Sequence, residues 1–379
     1  MKYKVLHVSQ SLGGVETYLK NIISNIDLSK FDLKIITPAS PSLTSCCKQF
    51  GVEHVVLEME RGVNLISDIK CYFFIKSFIK NYKPNLVHCH SSKGGILGRL
   101  ASKSAKCLSI FTPNGTSYLS FTGLKRIFFF LIEVMVKPFT DFILCVSHSE
   151  KNRMQYELGF DSNKIAVVMN ATNISPVENL KSIPTTPLIK NDIIKVGTIA
   201  RLTYQKNPLF LVQVANKMIN SNLQYAKKLH FYIYGSGLHD HLLDETNLLI
   251  SEFGLKDNIH ILPWSSSSNV LEYLKNLDVF ILPSIFEGLP FSLLEALDLG
   301  VPCIVTKCDG CNDVIQNNIN GFSGMTPDEF ATCINSLITD SETYSRLSCT
   351  GIEYVKKNHN NKIFITQLED YYISIINPN

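Results

Sequence analysis

Short apolar runs recur along the chain, separated by longer stretches whose apolar positions return at helical spacing. In the first half the runs stand at 3–8, 33–37, 55–57, 86–88, 108–112 and 142–146; in the second they stand at 193–198, 230–234, 259–262, 279–282 and 302–305. Such runs predict buried strands, and strands alternating with helices predict parallel sheets covered by helices. Between the two sets, residues 173–192 carry three prolines among Ser, Thr and Asn with little periodicity, which predicts a linker. The fold class expected is α/β with two Rossmann-like domains, 1–185 and 190–360. A chain of 379 residues is long enough for each to bury its own core.

Composition adds one asymmetry. With 45% hydrophobic and 18% charged residues the chain is of globular type. Its net charge of +3 is the sum of unequal halves: residues 1–190 hold 23 Lys+Arg against 13 Asp+Glu, and residues 191–379 hold 13 against 20. The halves are therefore +10 and −7, and the basic half suggests an anionic partner: nucleic acid, a membrane surface or a phosphate-bearing acceptor. The basic residues are scattered and no zinc-finger or aromatic RNA-binding stretch is visible, so nucleic acid is not the partner expected. The eleven cysteines sit mostly in apolar runs, as Cys145 and Cys303 do, the pattern of reduced thiols packed as small hydrophobes. Cys308-Asp309-Gly310-Cys311 has CxxC spacing, but no second Cys or His pair stands at zinc-finger distance, so the spacing alone indicates neither metal nor redox use. Met1-Lys2-Tyr3-Lys4 leads into a strand without a long apolar run, so no secretory signal is expected and the reading is cytoplasmic.

Segment 123–139 is unusually apolar with Lys125, Arg126 and Lys137 at its ends, and its uninterrupted apolar part is too short to span a bilayer. It reads either as a core helix or as an interfacial helix that meets anionic headgroups; the basic half favours membrane contact.

The chemistry-bearing segment is Ser284-Ile285-Phe286-Glu287-Gly288-Leu289-Pro290-Phe291-Ser292-Leu293-Leu294-Glu295. The run 279–282 predicts a strand, Gly288 and Pro290 break the chain, and Leu293, Leu294 and Leu297 resume at helical spacing. One carboxylate then lies at a strand's C-terminal tip and the other a turn or two into a helix, where open α/β sheets bind ligands. Taken alone, the pair reads more readily as a loop charge and a surface helix residue.

Phe286-Glu287-Gly288-Leu289-Pro290 with Glu295 resembles the paired-glutamate motif of retaining glycosyltransferases of the family-4 type, which have the two-domain GT-B fold. Further matching stretches follow in the family's order: Gly13-Gly14-Val15-Glu16, His88-Cys89-His90-Ser91-Ser92-Lys93-Gly94-Gly95, Val196 to Leu202 with Lys206-Asn207-Pro208, Tyr232 to Gly237, and Ile261-Leu262-Pro263-Trp264. Each is weak alone; together they cover about residues 3–322.

The resemblance implies two Rossmann-like domains whose sheets face a central cleft, with the terminal helix, 361–379, packing back on the first domain. It implies a retaining, metal-independent hexosyl- or N-acetylhexosaminyltransferase. A sugar would pass from a nucleotide-sugar, read as a UDP-sugar, to a saccharide on a polyprenyl diphosphate in capsule or O-antigen synthesis, at the cytoplasmic membrane face. A small soluble acceptor, or a noncatalytic sugar-nucleotide-binding partner subunit, are the alternatives. Arg201 and Lys206 would bind the donor diphosphate as fixed cations. Glu287 would position the transferred sugar, with the Gly288 and Leu289 backbone completing its pocket, and Glu295 would hold the ribose hydroxyls. Gly13, Gly14 and Gly235 belong to glycine turns on the donor side. No DxD motif is visible, and no metal or other cofactor is expected.

His90, Lys93 and Asn114 are the acceptor-side candidates. His90 reads equally as a buried, hydrogen-bonded core residue and Lys93 as a surface lysine. Two departures stand out. Asn114 occupies a place where relatives carry histidine, and asparagine cannot act as an acid, base or cation near pH 7. Gly310-Cys311-Asn312-Asp313 is one residue looser than the usual phosphate loop.

Overall fold

The computed structural model describes residues 2–10, 13–60, 62–173, 180–237, 240–263 and 267–378. Two compact units emerge: residues Met1–Ala171 with Asn361–Asn379, and Thr172–Asn360. In chain order the first unit contains β1 (Tyr3–Ser9), α1 (Gly14–Asn25), β2 (Phe31–Thr37), α2 (Pro41–Phe50), β3 (Glu53–Val56), α3 (Leu65–Tyr82), β4 (Leu86–His90), α4 (Ser92–Ala105), β5 (Leu108–Thr112), α5 (Gly123–Val136), β6 (Phe142–Cys145), α6 (His148–Asn152) and β7 (Ile165–Val167). The second contains β8 (Ile194–Ile199), α7 (Pro208–Ile219), β9 (Leu229–Ser236), α8 (Leu243–Glu252), β10 (Ile259–Pro263), α9 (Ser267–Asn276), β11 (Val279–Leu282), α10 (Phe291–Asp298), β12 (Cys303–Thr306), β13 (Phe322–Gly324), α11 (Pro327–Thr339) and α12 (Ser341–Asn358). The final helix, α13 (Asn361–Ile376), returns to the first unit.

Both sheets are parallel, with orders β3-β2-β1-β4-β5-β6-β7 and β10-β9-β8-β11-β12-β13. The central strands are apolar on both faces because helices cover both sides: β4 and β11 are buried along their whole lengths. Strand order reverses between β1 and β4 in one unit and between β8 and β11 in the other. The loops at the carboxyl ends of those strands are the ligand-binding positions of an open α/β sheet. Gly13 and Ser91 follow one pair of strands; Arg201 and Glu287 follow the other.

Three sequence expectations shift. The expected boundary at 185–190 moves upstream, because the Lys181 backbone donates to the Leu299 carbonyl, its ammonium pairs with Asp278 at 3.3 Å, and Leu188 is buried in the second unit's core. Within the expected linker, residues 174–179 lie outside the described residues, as does Trp264. β7 and β13, three residues each, were not expected: their sequences carry too little pattern and pairing with β6 and β12 defines them.

Candidate active site

In the second unit, β8 ends at Ile199 and Arg201 follows two residues later; Asn207, in the left-handed conformation with φ 50°, turns the chain into α7, which Pro208 opens. That short loop holds Lys206 against Glu287, five residues beyond the end of β11, at 2.5 Å. Gln205 adds two bonds, from its side-chain amide to the Phe286 carbonyl (3.1 Å) and to Glu287 Oε2 (3.3 Å), and the Ser284 hydroxyl donates to Glu287 Oε1 at 2.6 Å. The Gln205 carbonyl also accepts from the Ile285 amide at 2.8 Å. Thr306 secures the base of the loop through the Ser284 carbonyl. A buried carboxylate with three side-chain partners is held in one orientation, as positioning a ligand requires.

Arg201 differs. Its guanidinium has no hydrogen-bond or ion-pair partner among the described residues; burial lowers its pKa from the ordinary arginine value while Glu287 and Asp240 act in the opposite sense. Gly235, at the end of β9, is required beside it: a Cβ there would lie 2.4 Å from the Ala200 carbonyl oxygen and 3.3 Å from the Arg201 amide nitrogen. Gly288, Leu289 and Pro290 are buried and lead into α10. Glu295 lies in the second turn of that helix, where burial first and Asp298 second push its carboxyl up to about 7. Arg201, Lys206, Gly235, Glu287, Gly288, Leu289 and Glu295 thus all fall at or near the carboxyl ends of β8, β9 and β11.

The first unit's switch point is built around a buried histidine cluster in which His88 is fully bonded, while His7 Nε2 and His90 Nδ1 have no partner among the described residues. His90 is fully buried, its Nε2 sharing a proton with His7 Nδ1 at 3.0 Å; of its two readings, the core histidine is the one observed. His88 bonds the Tyr372 hydroxyl at 2.6 Å and the Thr112 hydroxyl at 2.7 Å. Burial holds all three imidazoles well below the usual histidine value, with His7 at about 3. His7, His88 and His90 have ligand atoms within 4.8 Å of one another, yet His88 commits both nitrogens to hydroxyls, so the group serves here as a core hydrogen-bond network. Lys93 gives its charge to Asp68 at 2.6 Å and to the Gly62 carbonyl at 2.5 Å.

Gly13 precedes α1 with φ 82° and, like Gly14, has open space where a side chain would stand. Asn114 has a backbone duty: at φ 54° it opens a turn with Gly115 (φ 87°), and asparagine is among the few residues that tolerate this conformation. Glu150 locks the turn by accepting from the Gly115 amide at 2.7 Å. Beside it a small cavity of about 10 Å³ is bounded by Ser91, Ser92, Phe111, Thr116, Glu133 and Met154. Among the described residues the buried Thr116 hydroxyl has no partner.

α5 is not a core helix. Leu124 is 85% exposed, and Ile127, Phe128, Leu131 and Met135 continue that face into solvent, while the opposite side is tied down by Glu133 to the buried Arg99 at 2.9 Å. The Lys137 ammonium bonds the Leu158 and Gly159 carbonyls and lies over Phe160. Among the described residues no helix is long and apolar enough to cross a membrane.

Two family descriptions match this chain in succession, Glycosyltransferase Family 4 over residues 12–175 and Glycosyl transferases group 1 over residues 182–354. The chain belongs to the family-4 type glycosyltransferases. A similar enzyme is the UDP-Gal:alpha-D-GlcNAc-diphosphoundecaprenol alpha-1,3-galactosyltransferase of Escherichia coli, 29% identical over 99% of this chain and 98% of that one. The O-antigen biosynthesis glycosyltransferase WbnH of the same organism is 26% identical over 88% and 89%. Among solved structures, Anabaena Alr3699/HepE in complex with UDP and glucose superposes with a TM-score of 0.81 at 16% identity, covering 98% and 100% of the two chains; at that identity the likeness is one of fold. The glycosyltransferase has two Rossmann-like domains of the GT-B type. Gln205 and Ser284 are site residues that sequence reasoning missed; the one available signal was their position within the Arg201–Lys206 and Ser284–Glu287 stretches.

Proposed function

We propose that this glycosyltransferase moves a sugar from a UDP-sugar to a saccharide carried on a polyprenyl diphosphate, with retention and without a metal ion, in the synthesis of a surface polysaccharide. The observation that carries the reading is the pairing of Lys206 with Glu287 beside the guanidinium of Arg201, which has no hydrogen-bond or ion-pair partner among the described residues. Breaking the bond between the sugar's anomeric carbon and the phosphate oxygen develops negative charge on the diphosphate. Two fixed cations stabilise it without reorganising. The acceptor hydroxyl forms the new bond on the face the diphosphate leaves, and its proton passes to the departing phosphate oxygen. Glu287 orients the sugar hydroxyls, and Glu295 the ribose. The E. coli relative's name, a UDP-galactose enzyme acting on a GlcNAc-diphosphoundecaprenol, supports this donor and acceptor class. The acceptor saccharide is assigned to the first unit, where Ser91 and Thr116 follow the carboxyl ends of β4 and β5.

A polyprenyl carrier also calls for contact with a bilayer. α5 supplies an apolar stripe, Leu124, Ile127, Phe128, Leu131 and Met135, flanked by Lys125 and Arg126. α3, which packs like α5 against α4, exposes a second stripe at Leu65, Ile66, Ile69 and Phe73. We assign these faces to peripheral association with anionic lipid.

The test is calorimetric titration with UDP, GDP, ADP and CMP in EDTA, followed by transfer from UDP-galactose to a GlcNAc-diphosphoprenyl acceptor. Selective binding of UDP that disappears in Arg201→Ala, and transfer undiminished by EDTA, are expected. Indifference to all four nucleotides would overturn the donor site, and UDP binding without transfer to any acceptor would leave the noncatalytic partner reading in its place. Co-sedimentation with phosphatidylglycerol vesicles, lost in Leu124→Glu/Phe128→Glu, tests the membrane face.

A further inference from the structure

The CxxC segment that the sequence left without a role lies against the Glu287 loop. Cys308 and Cys311 occupy a turn after β12 closed by the Asn312 amide donating to the Cys308 carbonyl at 3.0 Å. Residues three apart on such a turn have Cα atoms under about 7 Å apart, within the span a disulfide bridges. Both thiols are free, Cys308 partly exposed and Cys311 buried. Between them sits Gly310 at φ 75°, pressed on the site itself: a Cβ there would lie 2.5 Å from the Gly288 carbonyl oxygen and 3.1 Å from Glu287 Cβ. The charges of Glu287 and Lys206 both reach Cys311. Two cysteines whose Cα spacing a disulfide can bridge therefore flank a glycine that abuts the Glu287–Gly288 backbone.

We propose that Cys308 and Cys311 form a thiol–disulfide switch in the wall of the donor site, closed by a low-molecular-weight disulfide such as oxidised glutathione. The exposed Cys308 thiolate attacks one sulfur of the external disulfide, releasing one thiol and leaving a mixed disulfide. Cys311 then attacks the Cys308 sulfur, forming the internal bond and releasing the second thiol. The protein loses two S–H hydrogens, the released thiols carry them, and the external disulfide gains the two electrons. Closing the bond draws the ends of the turn together across Gly310. The glycine has no slack against the Gly288 carbonyl, so the displacement passes to Glu287 and weakens its hold on the donor. This consequence rests on the donor-binding reading of Glu287 and Lys206.

The experiment treats the full chain with oxidised glutathione, maps the bond by peptide mass spectrometry after alkylation, and measures UDP and UDP-galactose affinity and amide hydrogen exchange over 284–289, before and after dithiothreitol. We expect a Cys308–Cys311 bond, altered exchange over 284–289, and UDP-galactose affinity lowered about tenfold, as for a displaced hydrogen bond to a charged group. All three revert on reduction. Cys311→Ser stops at glutathionylated Cys308, and Cys308→Ser gives no response. Absence of the internal bond overturns the switch, and so does a bond that leaves both exchange and affinity unchanged. A reduced chain that binds no UDP sinks the donor reading instead, while the bond and the exchange still decide whether the cysteines move the loop.

Discussion

The two switch points have the same topology and opposite electrostatic states. In the first unit the charged side chains are already spent on one another, Lys93 on Asp68 and Arg99 on Glu133, and the buried imidazoles are neutral, His88 bonded at both nitrogens and His7 and His90 at one each. In the second, Lys206 is paired, Arg201 has no hydrogen-bond or ion-pair partner among the described residues, and Glu295 sits where ionisation is penalised. Groups satisfied internally hold a fold, whereas groups left short of partners are available to a ligand. A substitution at the first point should register in stability, and one at the second in binding and turnover.

The largest effect tests the first half of that contrast. Arg99→Met strands Glu133 as a buried, uncompensated charge and should cost about 3–5 kcal/mol, seen as a lower apparent Tm, with turnover of the folded fraction changing far less. Next comes Arg201→Ala. Removing this cation should leave the Tm in place while lowering kcat by about 10²–10³, the loss typical of a transition-state charge contact. A Tm fall as large as that of Arg99→Met would erase the distinction between the two points.

The pH profile sharpens it further. The buried imidazoles have folded pKa values below that of the unfolded chain, so the unfolded state binds more protons under about pH 6.5. Their contribution to stability is complete above that pH and is lost as pH falls through it. His88→Gln should flatten this acid limb in a pH series of melting curves. Glu295 acts in the opposite direction: with its carboxyl raised to about 7, the folded state binds more protons between about pH 4.5 and 7, and stability drains as pH rises through that window. Glu295→Gln should therefore gain on the order of 1–3 kcal/mol at pH 8 and lose UDP affinity. A variant at pH 8 with an unchanged Tm would show that the carboxyl is better solvated than its surroundings indicate.

The same contrast marks what the sequence made legible. Strands buried on both faces announce themselves as continuous apolar runs, so the two sheets could be read in order, and the glutamate pair stood out because Gly288 and Pro290 punctuate the chain between them. What the sequence withheld depends on tertiary neighbours. His90 looks the same in a row of letters whether it meets solvent or His7, and only the sheet decides. Gln205 carries no motif, and its role arises because β8 and β11 lie side by side. Lys181 reads as linker until Asp278 is brought opposite it. For α5 the letters gave two options because an apolar helix has the same composition buried or exposed, although Glu133, the one carboxylate within it, marked the face that turns inward to Arg99.

The return of α13 to the first unit has a consequence for how the chain comes to be made. His88 waits for Tyr372, 284 residues further on, and the Asp27 amide waits for Glu369. A ribosome adding about 5–20 residues each second releases the whole second unit before it supplies the helix that finishes the first. For that interval the nascent first unit presents Tyr18, His88 and Phe31 where Phe364 and Tyr372 will pack. The order of synthesis thus makes the last fifteen or so residues the closing step of the first domain.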